Sequence, residues 1–156
     1  LRIGKEYNAG IEIHTNGWGR KESGWRNAYE LCDSKKVSWI FGLDGLPHQS
    51  HIYRINQKGE EVFEMMKLGV SLGQQITWQW IPFRYNEDYI SEGVRLATKH
   101  NMTFMLRPSS RFTPLFKHLL DEDYYNQLEP SKLELKATPR SSENLSRMIL
   151  YGEDQF

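Results

Sequence analysis

Apolar side chains recur along this chain at two alternating periods, and each change of period marks a change of element. Residues 10–14 (GIEIH) alternate apolar and polar, the spacing of a strand with one buried face. Residues 25–32 then place Trp25, Ala28, Tyr29 and Cys32 three and four apart, which predicts an apolar stripe on a helix. Residues 37–43 are β-branched and aromatic enough for a second strand, and Asp44-Gly45 is a strong turn signal that ends it. From about Ser50 to Leu72 the pattern is largely helical, with Val62, Phe63, Met66 and Val70 on the apolar side and Gly73 as the stop. With Ser50 as the N-cap, Arg54 falls on that helix's first turn. Residues 75–81 predict a third strand ended by Pro82. Residues 86–99 predict a helix capped by Asn86, with Glu87 and Asp88 suiting its first turn, and residues 102–106 a fourth strand.

Strands alternating with helices of this length require crossover connections, so the expected fold class is α/β with a parallel sheet, flat or curved into part of a barrel. In such folds ligands sit beyond the carboxyl ends of the strands, where loops vary on a rigid scaffold. Polar side chains collect at those ends here: His14, Thr15 and Asn16 after the first strand, Asp44 after the second, Arg84 and Asn86 after the third. Arg107, Ser109, Ser110 and Arg111 follow the fourth. Within the third strand, alternation puts Thr77, Gln79 and Ile81 on one face and Trp78 and Trp80 on the other. A buried Gln79 needs a hydrogen-bonding partner, from a ligand or a neighbouring side chain.

Composition narrows the function classes. The chain has 156 residues, 38% hydrophobic and 13% aromatic, enough for a packed core in one domain or part of one. Twenty Lys and Arg against twenty Asp and Glu give no net charge, so no broad attraction to nucleic acid or an anionic membrane is expected. No apolar run is long enough to span a bilayer, and a cytoplasmic setting is the default. Cys32 stands alone and reads as a buried helix residue. It forms no intrachain disulfide and no multi-cysteine metal site within this chain. His14, His48 and His51 lack metal-ligand spacing, and no P-loop, dinucleotide-binding or nucleophile-elbow motif is present.

Four motifs remain, in order, at the ends of the four strand units: TNG at 15–17, FGLDGLPHQSHIYR at 41–54, WQWIPFRYNE at 78–87 and PSSRF at 108–112. Together they resemble the later part of a radical S-adenosylmethionine enzyme core, in the branch that modifies peptides and matures other enzymes. The resemblance covers residues 10–112 and implies a partial barrel, of which this chain supplies about four βα units, strands three to six of six. It implies binding of S-adenosylmethionine beside a [4Fe-4S] cluster, and a 5′-deoxyadenosyl radical that abstracts a substrate hydrogen. The cluster's usual C-x3-C-x2-C motif and the glycine-rich acidic motif after the second core strand are not in this sequence. A longer chain or a separate polypeptide is expected to supply that half, Leu1 at the start agrees with a longer reading frame, and no activity is expected of this chain alone. A peptide or protein substrate is the natural one for this branch. The alternatives are a noncatalytic α/β module derived from that core and a conventional metabolite-binding α/β barrel.

Matched position by position, Arg54 stands where the family pairs a basic residue with the cofactor's carboxylate, a contact suited to guanidinium geometry. Gly42 stands where the family often has a serine whose hydroxyl reaches the cofactor; glycine instead permits close backbone approach. Thr15 and Asn16 match the end of the third core strand, facing cofactor and substrate, and Gln79 and Ser109 complete the cofactor-binding set. Asp44 organises its turn or faces substrate. Asn86 matches a recurrent family asparagine, for which a capping role also suffices. Residues 1–112 are thus read as partial core and 113–156 as a polar extension, with short helices expected at 113–120 and 144–151.

Overall fold

The computed structural model describes residues 10–109 and 128–133. Strands β1 (Ile11–Thr15), β2 (Val37–Gly42), β3 (Gln75–Trp80) and β4 (Thr103–Leu106) alternate with helices α1 (Glu22–Glu30), α2 (Gly59–Ser71) and α3 (Ile90–Lys99). Two short 3-10 turns lie at Ser50–Ile52 and Glu87–Tyr89. The strands form one sheet in the order β1-β2-β3-β4, every pair parallel. The α/β class and parallel sheet expected from the sequence are what the chain adopts.

Register decides which side chains share a face. Ile13, Trp39 and Ile76 lie in one row, and Phe41, Trp78 and Phe104 in the next. These rows carry the core: Trp39 packs edge-on against Tyr29 of α1 with ring centres 5.0 Å apart, and Phe63 of α2 lies 5.3 Å from Trp78. At α3, Gly93 brings the helix backbone down onto Trp80 and Phe104. The three helices therefore cover the same face. A buried aromatic side chain contributes about 1.5–3 kcal/mol through area alone. The Tyr29 hydroxyl donates to the Met65 carbonyl at 2.9 Å, tying α1 to α2, and burial pushes its pKa up so that it stays a neutral donor. Gln74 accepts from Trp39 Nε1 and donates to the Tyr29 carbonyl, joining β2 to α1.

The opposite face is chemically different. Glu12, His14, Ser38, Thr77 and Thr103 lie on it, with Ile40, Gly42, Gln79 and Met105 buried toward its carboxyl end.

Three expectations fail in instructive places. The helix expected from about Ser50 begins only at Gly59. Asn56 takes a left-handed conformation (φ 63°), which breaks the run, and the Ser50 hydroxyl donates to the Pro47 carbonyl instead of capping a helix. Arg54 consequently sits in a loop. Asn86 does not cap α3 either: its Oδ1 accepts from the Phe83 amide at 2.7 Å and its Nδ2 donates to the Ile81 carbonyl, so it clamps the turn after β3. Cys32 is half-buried and follows the end of α1 rather than lying within it. Gly73 does stop α2, at φ 74°, with the Gly73 and Gln74 amides closing onto Val70 and Gly69 carbonyls. The expected helices at 113–120 and 144–151 lie outside the described residues.

Candidate functional site

The carboxyl ends of β2 and β3 are joined by one carboxylate. Asp44, two residues past β2 and fully buried, accepts the Ile81 amide on Oδ1 at 2.6 Å and the Arg54 Nε on Oδ2 at 2.8 Å. Its own carbonyl accepts from the Tyr85 hydroxyl at 2.6 Å. Burial, then the Asp44 charge, pushes the Tyr85 pKa up, so that hydroxyl remains a donor at any ordinary pH. Asp44 thus serves the β2 turn, the β3 turn and the intervening loop together.

That arrangement fixes Arg54. Its guanidinium is drawn by Asp44 across the face opposite the helices, directly over Gly42, where a side chain's first carbon would collide with the terminal nitrogen Nη2. Glycine is needed there for this close approach. The guanidinium also lies over the Tyr53 ring, 5.7 Å from its centre, and the Tyr53 ring packs at a tilt of 42° against Phe83, with centres 4.5 Å apart. The Arg54 side chain is 25% exposed, and its terminal nitrogens make no hydrogen bond among the described residues. A guanidinium tethered at Nε presents those two nitrogens as a fork suited to a carboxylate or phosphate.

Gly42 pairs in register with Gln79, so the two lie side by side on that face, and Gln79 pairs with Met105. Gln79 is buried, and its Oε1 accepts from Arg107 Nη1 at 3.4 Å, the neighbouring polar partner its burial requires. Gly42, Arg54, Gln79 and Arg107 therefore converge. Thr15 does not join them. It pairs with Phe41 on the helix-covered face, and its hydroxyl accepts the Gly17 amide at 3.0 Å. The Asn16 side chain is turned to the Trp18 amide at 3.5 Å, while its carbonyl accepts from Gln57. Arg84 pairs with Glu87 and approaches Glu129, away from Arg54. Ser109 is half-buried just beyond β4; Ser110 and Arg111 lie outside the described residues.

One residue was not marked by any motif. Gln57 is buried, and its Nε2 donates to the Asn16 carbonyl at 2.6 Å and to the Gly42 carbonyl at 3.1 Å, bridging the ends of β1 and β2. Within an expected amphipathic helix, Gln57 reads as a surface residue, and only the break at Asn56 turns it inward.

No family model matches this chain. No curated protein matches it either. Among solved structures, the crystal structure of Streptococcus suis SuiB shares its fold, with a TM-score of 0.59 and 14% identity over 81% of this chain. The chain spans 32% of the length of that SuiB chain, about a third. Among the described residues, no group of three or more His, Cys, Asp or Glu side chains is placed to hold a metal ion, and no helix is long and apolar enough to cross a membrane.

Proposed function

We propose that this chain is the later part of a radical S-adenosylmethionine core, strands three to six of a partial barrel, and that its carboxyl rim holds the cofactor's amino acid end. One observation carries the reading: Asp44 lays the Arg54 guanidinium over Gly42 with its two terminal nitrogens unused. A carboxylate is the simplest partner for that fork. Three of the motifs that resemble the family, and the described start of the fourth at Pro108 and Ser109, fall at the same end of one parallel sheet, where α/β folds bind ligands. Gln79 and Ser109 lie along that rim, and Asn16 and Gln57 border it.

The residues present suit the carboxylate end of such a cofactor and do not suit an iron-sulfur cluster. Cluster ligation takes several thiolates. The one cysteine, Cys32, lies at the other end of the sheet, its carbonyl approached by Gln74 just before β3. Bound S-adenosylmethionine would supply the 5′-deoxyadenosyl group for hydrogen abstraction, and the cysteine ligands of the cluster belong to a longer or partner chain. What this chain does is bind and orient. Arg54 takes the carboxylate, Asp44 holds Arg54 in place, and Gly42 leaves room for both. A peptide or protein is the proposed substrate.

The test uses a longer product, or a co-expressed partner, that carries the C-x3-C-x2-C segment. After reconstitution with iron and sulfide, reduction is expected to release 5′-deoxyadenosine from S-adenosylmethionine. Full cluster incorporation with no 5′-deoxyadenosine would contradict the proposal. A second reading, a noncatalytic module on the same scaffold, is favoured by the placement of Cys32 far from the rim. It predicts binding of S-adenosylmethionine with no cluster-bearing segment in frame or on an adjacent gene.

A further inference from the structure

The turn after β3 is held by two different parts of the chain. Asp44 takes the Ile81 amide on its carboxylate and the Tyr85 hydroxyl on its carbonyl. Residues 128–133 take the rest: Phe83 and Pro130 form an antiparallel bridge, and the Arg84 amide donates to the Glu129 carbonyl at 3.1 Å. The Glu87 carboxylate, 9% exposed, divides its oxygens, with Oε1 on Arg84 and Oε2 accepting from the Ser131 hydroxyl and the Lys132 amide. Leu128, 4% exposed, is buried in one apolar cluster with Tyr53 and Phe83.

That cluster reaches Arg54. The Tyr53 ring packs against Phe83 and also lies beneath the Arg54 guanidinium. Asp44 holds the guanidinium at Nε, and the Tyr53 face is a second support that sets the tilt of its plane, hence where the terminal nitrogens point. We infer that residues 128–133 are a strap, latched on Glu87, that positions the Arg54 guanidinium through Leu128 and the Tyr53–Phe83 pair. Coupling between separated groups travels through packed side chains, and each link here is a contact or a shared buried cluster. Leu128 and Glu87 are positioning residues that act through Tyr53 and the turn. Releasing the strap loosens the fork with no change at Asp44 or Gly42, whichever ligand the fork takes.

The experiment compares wild type with Leu128→Ala and Leu128→Met in the full chain, near neutral pH and without ligand. Phenylglyoxal labelling, read by mass spectrometry, reports the reactivity of Arg54, with the exposed Arg26 and Arg95 as internal references. Hydrogen exchange reports residues 50–58 around Tyr53 and the strapped turn at 83–87. Leu128→Ala is expected to speed exchange in both segments at least about tenfold and Arg54 labelling at least about threefold, with β1 and β2 unchanged, because truncating a buried leucine opens its own cluster first. Leu128→Met, close in volume, is expected to restore wild-type rates. If Leu128→Ala fails to fold, Glu87→Ala, which removes the latch, is expected to give the same pattern. Faster exchange at 83–87 with Arg54 labelling and 50–58 unchanged overturns the inference, because the strap then opens without reaching Arg54. Unchanged exchange at 83–87 overturns it too, as does equal acceleration of every segment, which would make the strap a support of the whole fold alone.

Discussion

Asp44 shows how much one buried side chain does at this rim. Its carboxylate holds the Ile81 amide and the Arg54 guanidinium, so Asp44→Ala strands a backbone donor and a charge together. Removing one partner of a buried pair costs about 3–5 kcal/mol; with Arg54 a quarter exposed, a loss near the lower end, about 3 kcal/mol, is expected in urea unfolding. Asp44→Asn keeps an acceptor for Ile81 and should lose clearly less. Gly42 makes the opposite point, because the serine that would improve its match to the family has no room. Gly42→Ser displaces the guanidinium and is expected to weaken S-adenosylmethionine binding, measured by equilibrium dialysis; unchanged or tighter binding would contradict that geometry. At this scale the sequence revealed residue types better than roles. Asp44 and Arg54 stood out through the turn between them, whereas the ion pair joining them is a tertiary fact. Gln57 carried no signal, since its burial follows from a left-handed Asn56 that periodicity does not mark.

Among elements, the strands and the helical stripes were legible because burial on one face imposes its period on the sequence. Trp39 and Phe41 face the helices as alternation requires, and Trp78 and Trp80 do the same on β3. The turn at Asp44-Gly45 was legible, but residues 50–58 were not. Their polar side chains fit a helical pattern by composition, and what breaks that pattern is the packing of Tyr53 against Phe83 and the pull of Asp44 on Arg54. The turn after β3 was misjudged for a related reason, since an Asn before acidic residues resembles a cap while Asn86 bonds backward to Ile81 and Phe83. Residues 128–133 come back to this turn through Glu87, which accepts from the Ser131 hydroxyl and the Lys132 amide. Burial pushes the Glu87 carboxyl up, and the bonds from Ser131 and Lys132 with the Arg84 ion pair outweigh it, holding the group below its ordinary range. A carboxyl depressed by folding contributes stability that is complete above its unfolded pKa, about 4.3, and is lost as pH falls through the lower folded value. The thermal midpoint of the wild type should therefore drop more steeply below about pH 4 than that of Glu87→Gln. Parallel acid profiles would show that Glu87 contributes nothing of the kind.

At the scale of the molecule, the sheet ends at β1, which pairs only with β2, so its other edge carries unpaired backbone groups among the described residues. The face opposite the helices is polar at its amino end and buried at its carboxyl end. An open parallel edge templates association. The chain alone is expected to self-associate in sedimentation velocity and, on the proposed reading, to become monodisperse when a cluster-bearing half is supplied; a monomer with one cooperative thermal transition would count against that reading. That the four strands run parallel was readable from their alternation with helices, whereas their order β1-β2-β3-β4 is a finding of the structure. The meeting of Arg54, Gly42 and Gln57 was not, because it depends on a loop that crosses back over β2. The most direct measurement is S-adenosylmethionine binding to the longer product, wild type against Arg54→Ala. A loss of at least about tenfold with an unchanged unfolding midpoint is expected from removal of a charge-assisted fork. Equal affinity in the two proteins, or no binding by the wild type, would contradict the assignment of this rim.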